Sequence, residues 1–187
     1  MTSTDERHDV EELEGVVLVT RRERELAVSH WLLAAALDHD VAREEWRTLG
    51  VALLACGGIF AAIRMPGELV RAAAGAQGEE GVDAFLRRAL EAGPSFRDRH
   101  SDAYYALVPG STAWSWSPSE TFRGLQCLGR DCYLGVPAVD RTEPEGREYW
   151  CAPMASPGEL CDPRLVWAMV QLGQMRHRAA EAGGGGR

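Results

Sequence analysis

Val51-Ala52-Leu53-Leu54-Ala55-Cys56-Gly57-Gly58-Ile59-Phe60-Ala61-Ala62-Ile63-Arg64-Met65-Pro66 places two short apolar runs on either side of a glycine pair. Each run is too short for a helix and suits a buried strand. Glycines supply the positive φ values of a tight turn, so the stretch predicts a hairpin, with Val51 to Cys56 pairing with Ile59 to Met65 inside a mixed sheet. Pro66 closes the second strand, and its fixed φ suits the first turn of a helix running to Ala74.

Upstream, Leu26, His30, Leu33, Leu37 and Val41 fall at three- and four-residue steps, with Trp31 and Ala34 beside them. This spacing predicts an amphipathic helix from Arg21 toward Trp46, with Asp38-His39-Asp40 as a break or turn. Downstream, Val82, Phe85, Leu86, Ala89 and Leu90 mark another helix, stopped by Gly93-Pro94. Strands are expected at Asp102 to Val108, Cys132 to Val136 and Glu148 to Cys151. Ser111 to Glu120 reads as a loop with aromatic anchors. Asp162-Pro163 supplies a cap and a first-turn proline for a last helix, whose stripe is Leu165, Val166, Met169, Val170, Leu172 and Met175. This order of elements means an α/β (α+β) fold, a mixed sheet flanked by helices with further helices at both ends. The expected organisation is an acidic flexible segment over 1–19, a single domain over 20–180 and a flexible tail over 181–187.

At 187 residues the chain can bury a core without help from disulfides or metal. Its 45% hydrophobic and 26% charged residues exclude disordered, collagen-like and membrane-embedded classes. All 20 basic residues are arginine and there is no asparagine, which removes Schiff-base, P-loop and nucleophilic lysine chemistry. With 28 acidic residues the net charge is -8, so any nucleic-acid role needs a local arginine patch. The acidic stretch from Met1 to Val19 does not read as a signal peptide, and no apolar run approaches a membrane span. The cytoplasm is the expected address, with no membrane partner.

The run from Val51 to Phe60 is followed by Met65-Pro66, Gly93-Pro94 and Tyr104-Tyr105-Ala106-Leu107-Val108-Pro109-Gly110. Then come Gly129 with Tyr133-Leu134-Gly135-Val136-Pro137, and Tyr149-Trp150. In this order and spacing the segments span over half the chain and resemble the small primase-polymerase domain, the N-terminal domain of bifunctional DNA primase/polymerases. The resemblance implies that a second strand similar to Phe-Asp-Val-Leu-Asp-Val-Pro carries the carboxylates that grip the divalent cations of a nucleoside triphosphate. Here that strand is Phe60-Ala61-Ala62-Ile63-Arg64-Met65-Pro66, with Ala61 and Arg64 where the aspartates stand. Nucleotidyl transfer needs hard oxygen ligands for Mg²⁺, and neither residue supplies one. The expectation is therefore a catalytically degenerate primase-polymerase-like domain without a cofactor, a binding or regulatory protein that keeps recognition of a nucleotide or nucleic acid. If Arg64 is buried it needs an internal carboxylate or an anionic ligand as partner.

The candidate ligand site is Arg64, Arg97, Arg99, His100, Tyr105, Trp114, Trp116 and Arg123, cations interleaved with rings that can stack bases. The competing reading has Tyr104 and Tyr105 alternating across a strand and the tryptophans pinning a loop. It is preferred, because the overall charge opposes polyanions. Cys127, Cys132, Cys151 and Cys161 are weighed as a zinc set. Only the first two approach the tight pair that structural zinc favours, so small buried thiols are the preferred reading, for Cys56 as well. On a helix, the residues of Asp38-His39-Asp40 point about 100° apart and cannot all face one ion. Two alternatives stay open. One is an active metal-dependent nucleotidyltransferase recruiting Asp38, Asp40, Asp131 or Asp140. The other is a protein-interaction module using the acidic N-terminal segment and first helix, with a protein partner.

Overall fold

Helix α1 (Arg21–Leu33) begins the part of the chain described by the computed structural model, residues 20–116 and 122–184. The segment expected to be flexible over 1–19, the last three residues, 185–187, of the tail expected over 181–187, and residues 117–121 of the aromatic-anchored loop lie outside the described residues. A reciprocal cap starts α1: Glu23 N–H donates to Thr20 Oγ1 at 3.2 Å, and Thr20 N–H donates to the Glu23 carboxylate at 2.7 Å. Asp38 then starts α2 (His39–Thr48), its Oδ1 accepting from the Asp40 and Val41 amides at 2.9 and 3.0 Å. Asp38-His39-Asp40 is therefore a helix start, and it divides the helix expected to reach Trp46. The expected stripe fails with it. Of its members Leu33 is buried while Leu26, Leu37 and Val41 are exposed: the buried face of α1 runs instead through Val28, Leu32 and Leu33, and one 3.6-residue phase cannot run on through the break between two helices.

β1 (Val51–Ala55) and β2 (Phe60–Pro66) are both strands, but they do not pair with each other. β1 pairs with β6 (Tyr133–Pro137) in a two-stranded sheet. β2 lies between β4 (Ala103–Pro109) and β5 (Gln126–Leu128), in a five-stranded sheet completed by β3 (Ser95–Asp98) and β7 (Glu148–Ala152) in the order β5-β2-β4-β3-β7. Both edges of β2 are thus taken, which leaves β1 no place beside it. Every pairing is antiparallel, so the class is α+β as expected while two antiparallel sheets replace the expected mixed one. β3, β5 and the short helix α5 (Thr112–Ser115) were not expected, since three or four residues hold too little periodicity to read.

Gly57 is the corner at which the chain leaves one sheet for the other. Its φ is +87°, and a Cβ there would lie 2.4 Å from the backbone nitrogen of Arg130.

β2 is apolar on both faces because it is covered on both. Ala61, Ile63 and Met65 join Tyr104, Ala106, Val108, Tyr149 and Cys151 under α3 (Gly67–Ala74), α4 (Glu79–Ala89) and α6 (Pro163–Gly184). On the other face Phe60 and Ala62 join Phe96, Tyr105, Leu107 and Trp150 beneath the small sheet, α1 and α2. Helices α3 and α6 meet at Gly173, where a Cβ would lie 2.6 Å from the Leu69 carbonyl oxygen. The cap expected at Asp162 is present, its Oδ1 accepting from the Arg164 amide at 2.8 Å, whereas Met175 of the expected stripe is exposed. Helix α6 continues to Gly184, past residue 180 where the tail was expected to begin. Among the described residues no helix is long and apolar enough to cross a membrane.

Gly57→Ala combines a left-handed backbone with a backbone clash and is expected to lower unfolding free energy by about 2–4 kcal/mol. Gly58→Ala meets nothing within 4 Å and should stay within about 0.5 kcal/mol of the parent. Denaturant titration of the two variants checks the corner, and equal effects would contradict it.

Candidate functional site

Strand alternation sends Ala61 and Arg64 to opposite faces of β2, so the two positions do not share one cleft. Ala61 is fully buried under the helices. Arg64 lies half-buried on the opposite face, in register with Tyr105 of β4 and Gln126 of β5. Its Nη1 donates to the Gly124 carbonyl at 2.8 Å. The turn that carries this carbonyl also carries Arg123, exposed and next in sequence. Within the fold Arg64 bonds a backbone oxygen in place of the internal carboxylate anticipated as one alternative from the sequence. No carboxylate among the described residues pairs with it.

Arg97 and Arg99 are disposed differently. On the helix side of the sheet, Arg71 holds Asp102 with two hydrogen bonds of 2.8 and 2.7 Å. Arg97 reaches Asp102 at 3.3 Å and Glu79 at 2.7 Å, and Arg99 clasps Glu79 in turn. The guanidiniums also cover rings, Arg97 that of Tyr104 at 5.2 Å and Arg99 that of Tyr149 at 5.7 Å. These cations are neutralised within the fold and form no free patch with Arg64. Glu79 was missed because 18 and 20 residues separate it from Arg97 and Arg99, and Asp102, only five residues from Arg97, because the turn that brings them together was not read. His100 sits exposed in the turn between β3 and β4, its amide donating to Asp98 at 2.8 Å.

The aromatic candidates separate as well. Tyr104 faces the helices, while Tyr105 faces the other core and stacks on Phe96 with centroids 5.0 Å apart, the alternation preferred from the sequence. Trp116 packs edge-on against Trp167 of α6 at 5.3 Å, and Trp114 is 80% exposed. Trp167 has one signal in the sequence, a large ring lying off the buried stripe of its helix.

The four cysteines of the zinc reading do not converge. Cys127 and Cys132 lie near Cys56, Cys151 lies beside Asp83, and Cys161 donates to the Pro94 carbonyl at 3.4 Å. Cys127 and Cys151 stand on the two opposite edge strands of the five-stranded sheet, Cys132 just ahead of β6 and Cys161 in the loop before α6, so spacing along the chain says nothing of their separation. Burial first, and then the neighbouring Cys132 and Cys127, pushes the Cys56 thiol up to about 12. Burial likewise takes Cys127 to about 11, Cys161 to about 12 and Cys151 well upward. Thiolates are the ligating and nucleophilic form, and at neutral pH these groups are thiols. Among the described residues no group of three or more His, Cys, Asp or Glu side chains is arranged to hold a metal ion, Asp38, Asp40, Asp131 and Asp140 included.

No protein-family model matches the chain, and neither does any curated protein or solved structure.

The Arg71 guanidinium holds Asp102 below the usual carboxylate range, and the Arg99 guanidinium does the same for Glu79. A carboxylate depressed in the folded state adds stability above its unfolded pKa and loses it as pH falls through the folded value. Melting temperature is therefore expected to drop as pH falls from about 5 to about 3, and Arg71→Gln should flatten that limb. Glu148 is raised, by burial and then by Asp98, and has the opposite sign, so Glu148→Gln should steepen it. A melting temperature constant across this range would contradict the pairing.

Proposed function

We propose that this protein is a non-catalytic, primase-polymerase-like binding domain that holds the phosphate of a nucleotide or single-stranded nucleic acid at Arg64. The observation that carries this reading is the contrast between arginines. Arg71, Arg97 and Arg99 are paired with carboxylates, whereas Arg64, beside Tyr105, spends one N–H on a carbonyl and has no carboxylate partner among the described residues. A guanidinium with donors to spare fits phosphate, and the exposed Arg123 on the adjoining turn adds a second cation. The resemblance of the segment order to primase-polymerase domains supports nucleotides over other phosphate bearers. Polymerase chemistry is not part of the proposal, since Ala61 and Arg64 leave β2 with no oxygen ligand for a cation.

The test uses the intact chain with a labelled single-stranded oligonucleotide and a nucleoside triphosphate as competitor. Arg64→Ala should weaken binding about tenfold or more and lower the slope of log affinity against log salt by about 0.7, one phosphate contact. Arg99→Ala should leave affinity within about twofold. The free Arg64→Ala protein should lose only about 1–2 kcal/mol, the worth of a hydrogen bond rather than a buried ion pair. Equal binding by parent and Arg64→Ala would overturn the reading, as would salt-independent binding.

A further inference from the structure

Trp116 and Trp167 meet at right angles, with an interplanar angle of 89° and centroids 5.3 Å apart. They wall a cavity of about 320 Å³ whose other sides are Ser115, Pro163 and Arg164. The buried stripe of α6 runs through Val166, Met169 and Val170 toward the sheet, and Trp167 lies off it with 36% of its surface exposed. Core packing therefore does not account for an indole at this position.

The geometry points to this corner as a binding site for a small planar aromatic acid. The volume stands at the low end of the roughly 300–1,000 Å³ typical of small-molecule sites, which suits one fused ring system and not a strand of polymer. Two indoles and a proline ring give apolar walls. The perpendicular arrangement offers an entering ring the face of one indole and the edge of the other, the two contacts aromatic pairs prefer. Arg164 is the one charged residue in the lining, and its guanidinium has no ion pair or hydrogen bond among the described residues, so the cavity's electrostatic complement is an anion. The enclosed Trp116 Nε1 has no acceptor among the described residues, so none of their hydrogen bonds holds this wall against adjusting to an occupant. None of these residues contributes to the surroundings of Arg64, and the two sites are independent.

Calorimetric titration of the full chain with 2-naphthoate and with its neutral counterpart 2-naphthamide tests the assignment. One-site saturable binding of 2-naphthoate is expected, about tenfold tighter than the amide. Arg164→Gln should bring the two ligands to equal affinity. Trp167→Ala should abolish both, while Trp167→Phe, which keeps a ring and guards against a folding defect, retains them. Arg64→Ala should bind 2-naphthoate like the parent, so failure here is separable from failure at Arg64. Absence of saturable binding, or unchanged affinity in Trp167→Ala, would overturn the site. Equal affinity for acid and amide in the parent would overturn the role of Arg164.

Discussion

The seven-residue ladder between β2 and β4, from the Phe60–Pro109 pair to the Pro66–Ala103 pair, joins two strands that are buried on both faces. Apolar side chains on both faces need cover on both, and the remaining elements supply it. Helices α3, α4 and α6 close one side, and the small sheet with α1 and α2 closes the other, giving two cores that share one sheet. Because β4 and β5 take both edges of β2, β1 has to seek its partner elsewhere and finds it in β6.

Polar groups collect at the end of this ladder nearest the β3–β4 turn. Across the sheet there, Met65, Tyr104 and Arg97 stand in one row, and Arg64, Tyr105 and Phe96 in the next. Alternation places Arg97 on the helix side, where Glu79 from α4 and Asp102 from the turn neutralise it. It places Arg64 on the side where no acid among the described residues pairs with it. The same strand geometry thus makes one arginine part of an ion-pair network and leaves the other bonded to a carbonyl with no carboxylate partner among the described residues.

Much of the element list was legible. The apolar runs at β1, β2, β4, β6 and β7 and the punctuation by Pro66, Gly93-Pro94 and Asp162-Pro163 rest on local sterics and capping, which act over a few residues. The helix break at Asp38 was legible for the same reason. The stripe drawn across that break was not, since it assumed a single helix. In the candidate site, Arg64 stood out as a cation inside an apolar strand, and the alternation of Tyr104 and Tyr105 followed from the period of two. The pairing of Arg97 and Arg99 with Glu79, and the meeting of Trp116 with Trp167, depend on contacts between segments far apart in the chain, which no local pattern records.

By itself the sequence determined that this chain folds as α+β, where most strands and helices begin and end, and that β2 carries an arginine inside an apolar run. Those features follow from periodicity, from backbone restriction at glycine and proline, and from the chemistry of single side chains. Only the tertiary structure decided which strands pair and which arginines are neutralised, and only it showed that Ala61 and Arg64 face opposite ways and that the cysteines lie apart. Pairing depends on which sheet edges remain open once the most apolar strands have been buried. Charge pairing depends in turn on which side of the sheet each residue reaches.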